Sequence, residues 1–141
     1  MANYMVLAGA IIFFVLGLLH LILSFLDVKD PKRFIPAKTE LLAALKTTTI
    51  NMRKDARNFW LSSLGFHFSH SIGVMFYGFI VGYCALVRPD FFADYIIRIV
   101  IVLMGASYVA IARAFWFIIP VIGSLIGVAF IGIGLAVLYP Y

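Results

Sequence analysis

Charged side chains are scarce in this 141-residue sequence, at 12% of the residues against about 25% in soluble globular domains. Apolar residues make up 65% of the chain. A globule this small has too much surface to bury so much apolar material, so the composition excludes an ordinary soluble domain and indicates lipid as the solvent. Among the charged residues, the acidic ones are the fewer, with six against eleven basic ones. Because the basic residues concentrate in one loop, they indicate a membrane surface rather than nucleic acid.

Cysteine is nearly absent, which limits redox and metal chemistry. The single Cys84 cannot form an internal disulfide, and we expect it to pack as a small apolar residue. No Lys or Arg precedes the first apolar run, so we expect that run to be a retained helix rather than a signal peptide. The sequence also lacks a phosphate loop, a nucleophile motif, a His-Glu-x-x-His pattern and paired carboxylates.

Four long apolar runs organise the chain, over residues 4–26, 59–87, 91–115 and 117–138. Each is long enough to cross a hydrocarbon core of about 30 Å as a helix. Helices are required because every backbone amide in lipid must be hydrogen-bonded within its own segment. The sequence therefore predicts an all-α fold, a single transmembrane domain over residues 1–141 built as a four-helix bundle. The short link between the last two runs predicts an antiparallel hairpin.

The loop over residues 27–58 contains eight of the eleven Lys and Arg residues. Within it, Leu41, Leu42, Leu45 and Met52 fall roughly on one face of a helix, and lysines fall towards the other. This pattern predicts an amphipathic helix that lies in the headgroup region of the membrane.

The basic residues also predict the orientation. The first loop and Arg113 in the third loop carry nine basic residues, whereas the second loop carries only Arg88 and Arg98. We therefore expect loops one and three in the cytoplasm and both termini outside. Arg98 is expected either to reach outward to the interface or to pair with Asp94 one turn earlier.

All three histidines lie inside apolar runs, and His67 and His70 are three residues apart. Counted at 1.5 Å per residue from the cytoplasmic side, His20, His67 and His70 lie about 9, 10 and 15 Å into the membrane. They can therefore meet in the inner half of the bundle, where costly ionisable residues usually face the interior. Together with Ser69 and Tyr108, they are the predicted groups for binding the polar head of a lipophilic ligand.

Other interpretations of these residues remain open. His20 with His70 or His67 would serve as ligands of a transition metal or a haem, although no carboxylate or thiol lies at that depth. Alternatively, the histidines only bridge helices. Arg113 and Trp116 are predicted to hold an anionic headgroup or, alternatively, to anchor the inner interface.

Three helices carry small residues at intervals of four, a spacing that favours close packing within the bundle or dimerisation. These repeats are Gly78 and Gly82, Gly123 and Gly127, and Ala106, Ala110 and Ala114.

The second run contains Trp60, Gly65-Phe66, Ser69-His70-Ser71-Ile72-Gly73 and Gly78. This pattern, with Gly17-x-x-His20 and the stretch 113–120, resembles a family of small uncharacterised bacterial four-span membrane proteins. The resemblance covers most of the chain and implies a bacterial inner-membrane location but no activity. In that family asparagine stands where this chain has His67, which favours His20 and His70 as the functional pair.

The predicted function is a non-enzymatic accessory or interaction subunit of the inner membrane that binds a lipid or other lipophilic ligand. The alternatives are a haem- or metal-binding redox protein and a membrane enzyme that acts on a lipophilic substrate. No cofactor belongs to the leading prediction. The expected partners are membrane lipids and a larger membrane complex or further copies of this chain, not nucleic acid.

Overall fold

The computed structural model describes residues 1–51 and 55–140. This part of the chain contains five α-helices: α1 (Ala2–Lys29), α2 (Thr39–Thr47), α3 (Phe59–Val87), α4 (Tyr95–Phe115) and α5 (Ile118–Leu138). A 3-10 helix over Pro89–Ala93 precedes α4. The β-type pairing in the described residues is one isolated antiparallel bridge between Thr49 and Asn58. The predicted all-α fold is confirmed.

Four of the helices, α1, α3, α4 and α5, are long and apolar enough to cross a membrane, as expected for a multi-pass membrane protein. Their bounds follow the four apolar runs within a few residues, with one informative difference. The third long helix begins at Tyr95 rather than at Phe91. The Asp94 carboxylate accepts a hydrogen bond from the Ile96 backbone N–H at 2.8 Å and so caps the helix there.

The turn between α3 and α4 carries an exposed ion pair. Arg88 donates two hydrogen bonds to the Asp90 carboxylate, at 3.0 and 2.8 Å. These bonds hold the pKa of Asp90 below its ordinary value. The turn is therefore close to charge-neutral.

The contacts divide the chain into two compact units, called unit 1 and unit 2 below. Unit 1 consists of Met1–Gly17 and Val74–Tyr141, and unit 2 consists of Leu18–Gly73. Helices α1 and α3 each contribute to both units, α4 and α5 belong to unit 1, and α2 belongs to unit 2.

Small residues allow the helices of unit 1 to approach closely. A Cβ atom at Gly78 of α3 would lie 2.6 Å from the Ala10 carbonyl oxygen of α1. A Cβ atom at Gly127 of α5 would lie 2.9 Å from the ring of Phe13, also in α1. Two of the three small-residue repeats therefore face α1 and serve packing within the bundle. The third repeat, in α4, is exposed and consists of Ala106, Ala110 and Ala114.

The core of unit 1 is apolar and is contributed mainly by α1, α3 and α5. Its buried members are Val6, Ala10, Phe13, Val74, Tyr77, Val81, Ala85, Phe92, Ile131 and Leu135. The α4–α5 hairpin is antiparallel, because Arg98 near the start of α4 contacts Tyr139 just beyond the end of α5. Ile101 and Val102 of α4 pack against this core.

In unit 2, the predicted loop helix is present as α2, and none of its nine residues is buried. Leu41 is exposed, while Leu42 and Leu45 are half-buried, so the apolar side of α2 is only partly covered. Met52, the fourth residue of the predicted apolar face, lies outside the described residues. Trp60, in the first turn of α3, is buried.

Candidate functional site

The three histidines all lie in unit 2, and the structure brings their rings together. His20 comes from α1, and its Nε2 atom lies 3.2 Å from Nδ1 of His67 in α3. The ring centroids of His20 and His70 are 5.7 Å apart in an edge-on arrangement. All three rings are half-buried. We call this group the histidine cluster.

The contact between His20 and His67 requires the two imidazoles to play opposite roles. One nitrogen carries a hydrogen and donates, and the other accepts with its lone pair. Two protonated nitrogens at these positions would face each other as two donors. The contact therefore holds one proton between the rings and links the tautomer of one imidazole to that of the other.

Aromatic rings flank the cluster on two sides. The Phe34 ring stacks on His67 with 4.7 Å between centroids and 21° between planes, and it lies 4.8 Å from the ring of His20. The Phe66 ring lies nearly parallel to His70, at 6.1 Å and 12°. Phe34 belongs to the loop after α1, so the site combines two long helices with a folded loop.

Asp27 fixes the loop that carries Phe34. Its carboxylate, in the last turn of α1, is fully buried. It accepts backbone hydrogen bonds from Lys32 at 3.1 Å, Arg33 at 3.0 Å and Phe34 at 2.7 Å. The Arg33 guanidinium donates a further bond at 3.1 Å. A buried carboxylate at a helix C-terminus is unfavourable by itself, so these four donors compensate for both its burial and the helix dipole.

The serine hydroxyls near the cluster act on the backbone. Ser24 donates to the His20 carbonyl at 2.8 Å, and Ser71 donates to the His67 carbonyl at 2.6 Å. Both serines are fully buried, and each bonds one helical turn back, the usual way for a serine inside a helix to satisfy its hydroxyl. Ser69, a predicted ligand group, is exposed and donates to the carbonyl three residues earlier.

The other three predicted ligand residues belong to unit 1. The Tyr108 ring packs against Phe13 and Tyr77, at 5.9 and 5.8 Å between centroids. Arg113 is exposed in the last turn of α4. Trp116 is half-buried at the C-cap of α4. Of the predicted site residues, the structure thus joins the three histidines into one cluster.

A metal ion at the histidine cluster would be coordinated by imidazole nitrogens. Within residues 1–51 and 55–140, no group of three or more His, Cys, Asp or Glu side chains is arranged to hold a metal. His20 and His67 nevertheless present two nitrogens 3.2 Å apart. Two nitrogens that bind one tetrahedral zinc ion at about 2.0–2.1 Å would be separated by about 3.3 Å.

Sequence reasoning missed Asp27 and Phe34 as parts of the site. Asp27 carried a usable signal, because a carboxylate in the last turn of an apolar helix is unfavourable with the helix dipole and implies nearby donors. Phe34 carried no comparable signal. Its position depends on how the loop folds back onto α1 and α3, which periodicity does not encode.

Replacing the Asp27 carboxylate should loosen the loop and lower stability. We expect Asp27→Asn to cost about 1–3 kcal/mol, because an amide nitrogen would face backbone donors in a buried position. Thermal unfolding in detergent and amide hydrogen exchange at residues 32–34 measure the effect. Asp30→Asn is the matched control, since Asp30 is exposed and pairs with Lys32 at the surface. Equal melting temperatures for the two variants would contradict this role of Asp27.

No protein-family model, no curated protein and no solved structure matches this chain. The resemblance to bacterial four-span proteins therefore stays a prediction from the residue pattern. What the chain does has to be argued from the chemistry of its own side chains.

Proposed function

We propose that this chain is an integral protein of the bacterial cytoplasmic membrane that binds a lipophilic molecule at the histidine cluster, as a non-enzymatic accessory or interaction subunit. The observation that carries the proposal is the contact of three half-buried imidazoles contributed by two membrane-length helices. Ionisable side chains in such helices cost free energy in lipid, so a group of them indicates a functional site.

The chemistry of the cluster indicates the kind of ligand. A neutral imidazole carries one donor and one acceptor, so it can bind a hydroxyl or a carbonyl group without a formal charge. Phe34 and Phe66 supply flat apolar surfaces beside the rings. A neutral polar head on an apolar body matches both features, and binding sites of this kind are mostly apolar with a few placed polar groups.

The hydrogen bonds made by the neighbouring serine hydroxyls favour binding over catalysis by a serine. Catalysis by a serine needs a hydroxyl hydrogen-bonded to a base. The hydroxyls of Ser24 and Ser71 donate instead to backbone carbonyls within their own helices. The sequence also contains no known nucleophile motif.

The proposed orientation has both termini outside and the basic first loop in the cytoplasm. Its support is the concentration of eight basic residues between positions 27 and 58, with Arg113 in the third loop. In this orientation, α2 lies at the cytoplasmic headgroups and its exposed Leu41 faces the lipid.

Cysteine labelling in intact cells tests the orientation. In a Cys84→Ala background, Tyr141→Cys should react with a membrane-impermeant maleimide. Lys38→Cys should react only after the membrane is permeabilised, because the proposal places it in the cytoplasm. The reverse pattern would contradict the orientation.

Photocrosslinking tests the ligand site. The probe is a long-chain alcohol that carries a diazirine, added to the purified protein, with the matching alkane that lacks the hydroxyl as reference. We expect the alcohol to label peptides around residues 20–34 and 66–70. His20→Leu should reduce this labelling about three- to tenfold, as expected for the loss of one hydrogen-bonding group.

Ser69→Ala is the matched control, because Ser69 lies on the same stretch of α3 but is exposed and bonded to its own helix. It should label like the natural protein. Equal labelling by alcohol and alkane, or unchanged labelling in His20→Leu, would contradict the proposal. If the protein turns over a lipophilic substrate and His70→Ala abolishes this turnover, the protein is an enzyme rather than a binding subunit.

A transition-metal site is the second candidate function. It is favoured by the separation of 3.2 Å between the two imidazole nitrogens of His20 and His67, which suits two ligands of one tetrahedral ion. Metal analysis and a visible spectrum of the purified protein separate the two candidates. Stoichiometric metal or a Soret band that is lost in His20→Leu and kept in Ser69→Ala would establish a metal or haem protein.

A further inference from the structure

Unit 1 contains a cation inside a membrane-length helix. Arg98 lies three residues after the start of α4 and is half-buried. Its Nη1 atom donates to the Tyr139 carbonyl at 2.9 Å, and its guanidinium lies over the Tyr139 ring at 5.0 Å. Of the two arrangements expected for this residue, the ion pair with Asp94 is not formed, and the Asp94 carboxylate instead accepts from the Ile96 N–H as the cap of α4. Within the described residues, the Arg98 Nε atom is buried without an acceptor.

Tyr139 holds this guanidinium in a fixed place. Its hydroxyl donates to the Pro89 carbonyl at 3.1 Å, and its backbone N–H donates to the Leu135 carbonyl at 3.0 Å. The residue therefore ties the end of α5 to the turn after α3. A positive charge at such a position is pre-organised for an anion, because little conformational freedom is left to lose on binding.

Arg98 lines one part of an apolar groove between α4 and α5 of unit 1. Its volume is about 460 Å³, within the range of about 300–1,000 Å³ that is typical of ligand pockets. Ile99 and Leu103 line it from α4, and Gly132 and Ala136 line it from α5. Nothing lies within 4 Å of a Cβ atom built at Gly132, so this glycine leaves the groove open.

We propose that the groove binds one acyl chain of an anionic phospholipid, with its phosphate against Arg98. Charge complementarity supports this occupant, because the guanidinium has no carboxylate partner in the described part of the chain. Depth supports it too, since Arg98 lies only about 4.5 Å from the start of α4, close to where a lipid phosphate would reach. The α4 lining from Tyr95 to Leu103 is about 12 Å long and accommodates the upper part of a chain. The site is independent of the histidine cluster.

Native mass spectrometry of delipidated protein in a neutral detergent tests this proposal. The probes are dioleoyl phosphatidylglycerol, which is anionic, and dioleoyl phosphatidylcholine, which is zwitterionic. We expect one phosphatidylglycerol to bind, with an apparent Kd about tenfold lower than that of phosphatidylcholine, because the choline ammonium offsets the charge of the phosphate beside Arg98. Arg98→Gln should remove this preference. Gly132→Phe should weaken both lipids by filling the groove while the guanidinium remains.

Arg88→Gln is the matched control, because it removes the same charge from an exposed residue that already pairs with Asp90. It should bind both lipids like the natural protein. Equal losses in Arg98→Gln and Arg88→Gln, or no lipid preference in the natural protein, would overturn the proposal. Displacement of the lipid by excess inorganic phosphate, with no effect of Gly132→Phe, would show a headgroup site without a chain and would also overturn it. If Arg98→Gln does not fold, unchanged binding in Gly132→Phe overturns it alone.

Discussion

The candidate site depends on the hydrogen bonds that the buried Asp27 carboxylate accepts. A buried charge at the C-terminal end of a helix is unfavourable unless donors surround it, and here three backbone N–H groups and Arg33 do so. Those donors belong to residues 32–34 in the loop after α1. The loop therefore has to fold back onto Asp27 in order to compensate its charge. The loop then places Phe34 on His20 and His67. A single acidic residue thus links the end of a membrane-length helix to the wall of the proposed ligand site.

The histidine cluster gives an apolar region a polar surface without a formal charge. The hydrogen bond between the two imidazoles satisfies one nitrogen of each ring, which reduces the cost of placing them in membrane-length helices. Flanking phenylalanine rings keep the surroundings apolar. Such a site suits a neutral head group, whereas the Arg98 guanidinium, which has no carboxylate partner among the described residues, suits an anion. The two polar elements therefore differ in charge and in the ligand chemistry they favour.

The fold could be read from the sequence because lipid imposes strong rules on it. In lipid, a run of twenty or more apolar residues forms a helix. The helices α1, α3, α4 and α5 were therefore predictable from the positions of the four apolar runs. The start of α4 was harder, because Phe91 and Phe92 look like part of the apolar run while Asp94 sets the boundary through a local hydrogen bond. The glycine repeats that face α1 were visible as small residues at intervals of four.

The site was predictable only in part. Counting residues along a helix gives depth, and depth alone indicated that the three histidines can meet. It does not give the rotation of a helix about its axis, so it could not show that Ser69 is exposed. Nor does depth specify neighbours: Tyr108 packs with Phe13 and Tyr77 in unit 1. The position of Phe34 depends on the path of the loop, which the hydrogen bonds to Asp27 hold.

The loop that Asp27 holds packs Phe34 against a hydrogen-bonded imidazole pair. Nitrogen-15 NMR of histidine-labelled protein in detergent micelles tests it most directly, because the chain has only three histidines and single substitutions assign each ring. We expect a scalar coupling across the hydrogen bond between His20 and His67, and its loss in Asp27→Asn. Three uncoupled imidazoles in the natural protein would contradict it.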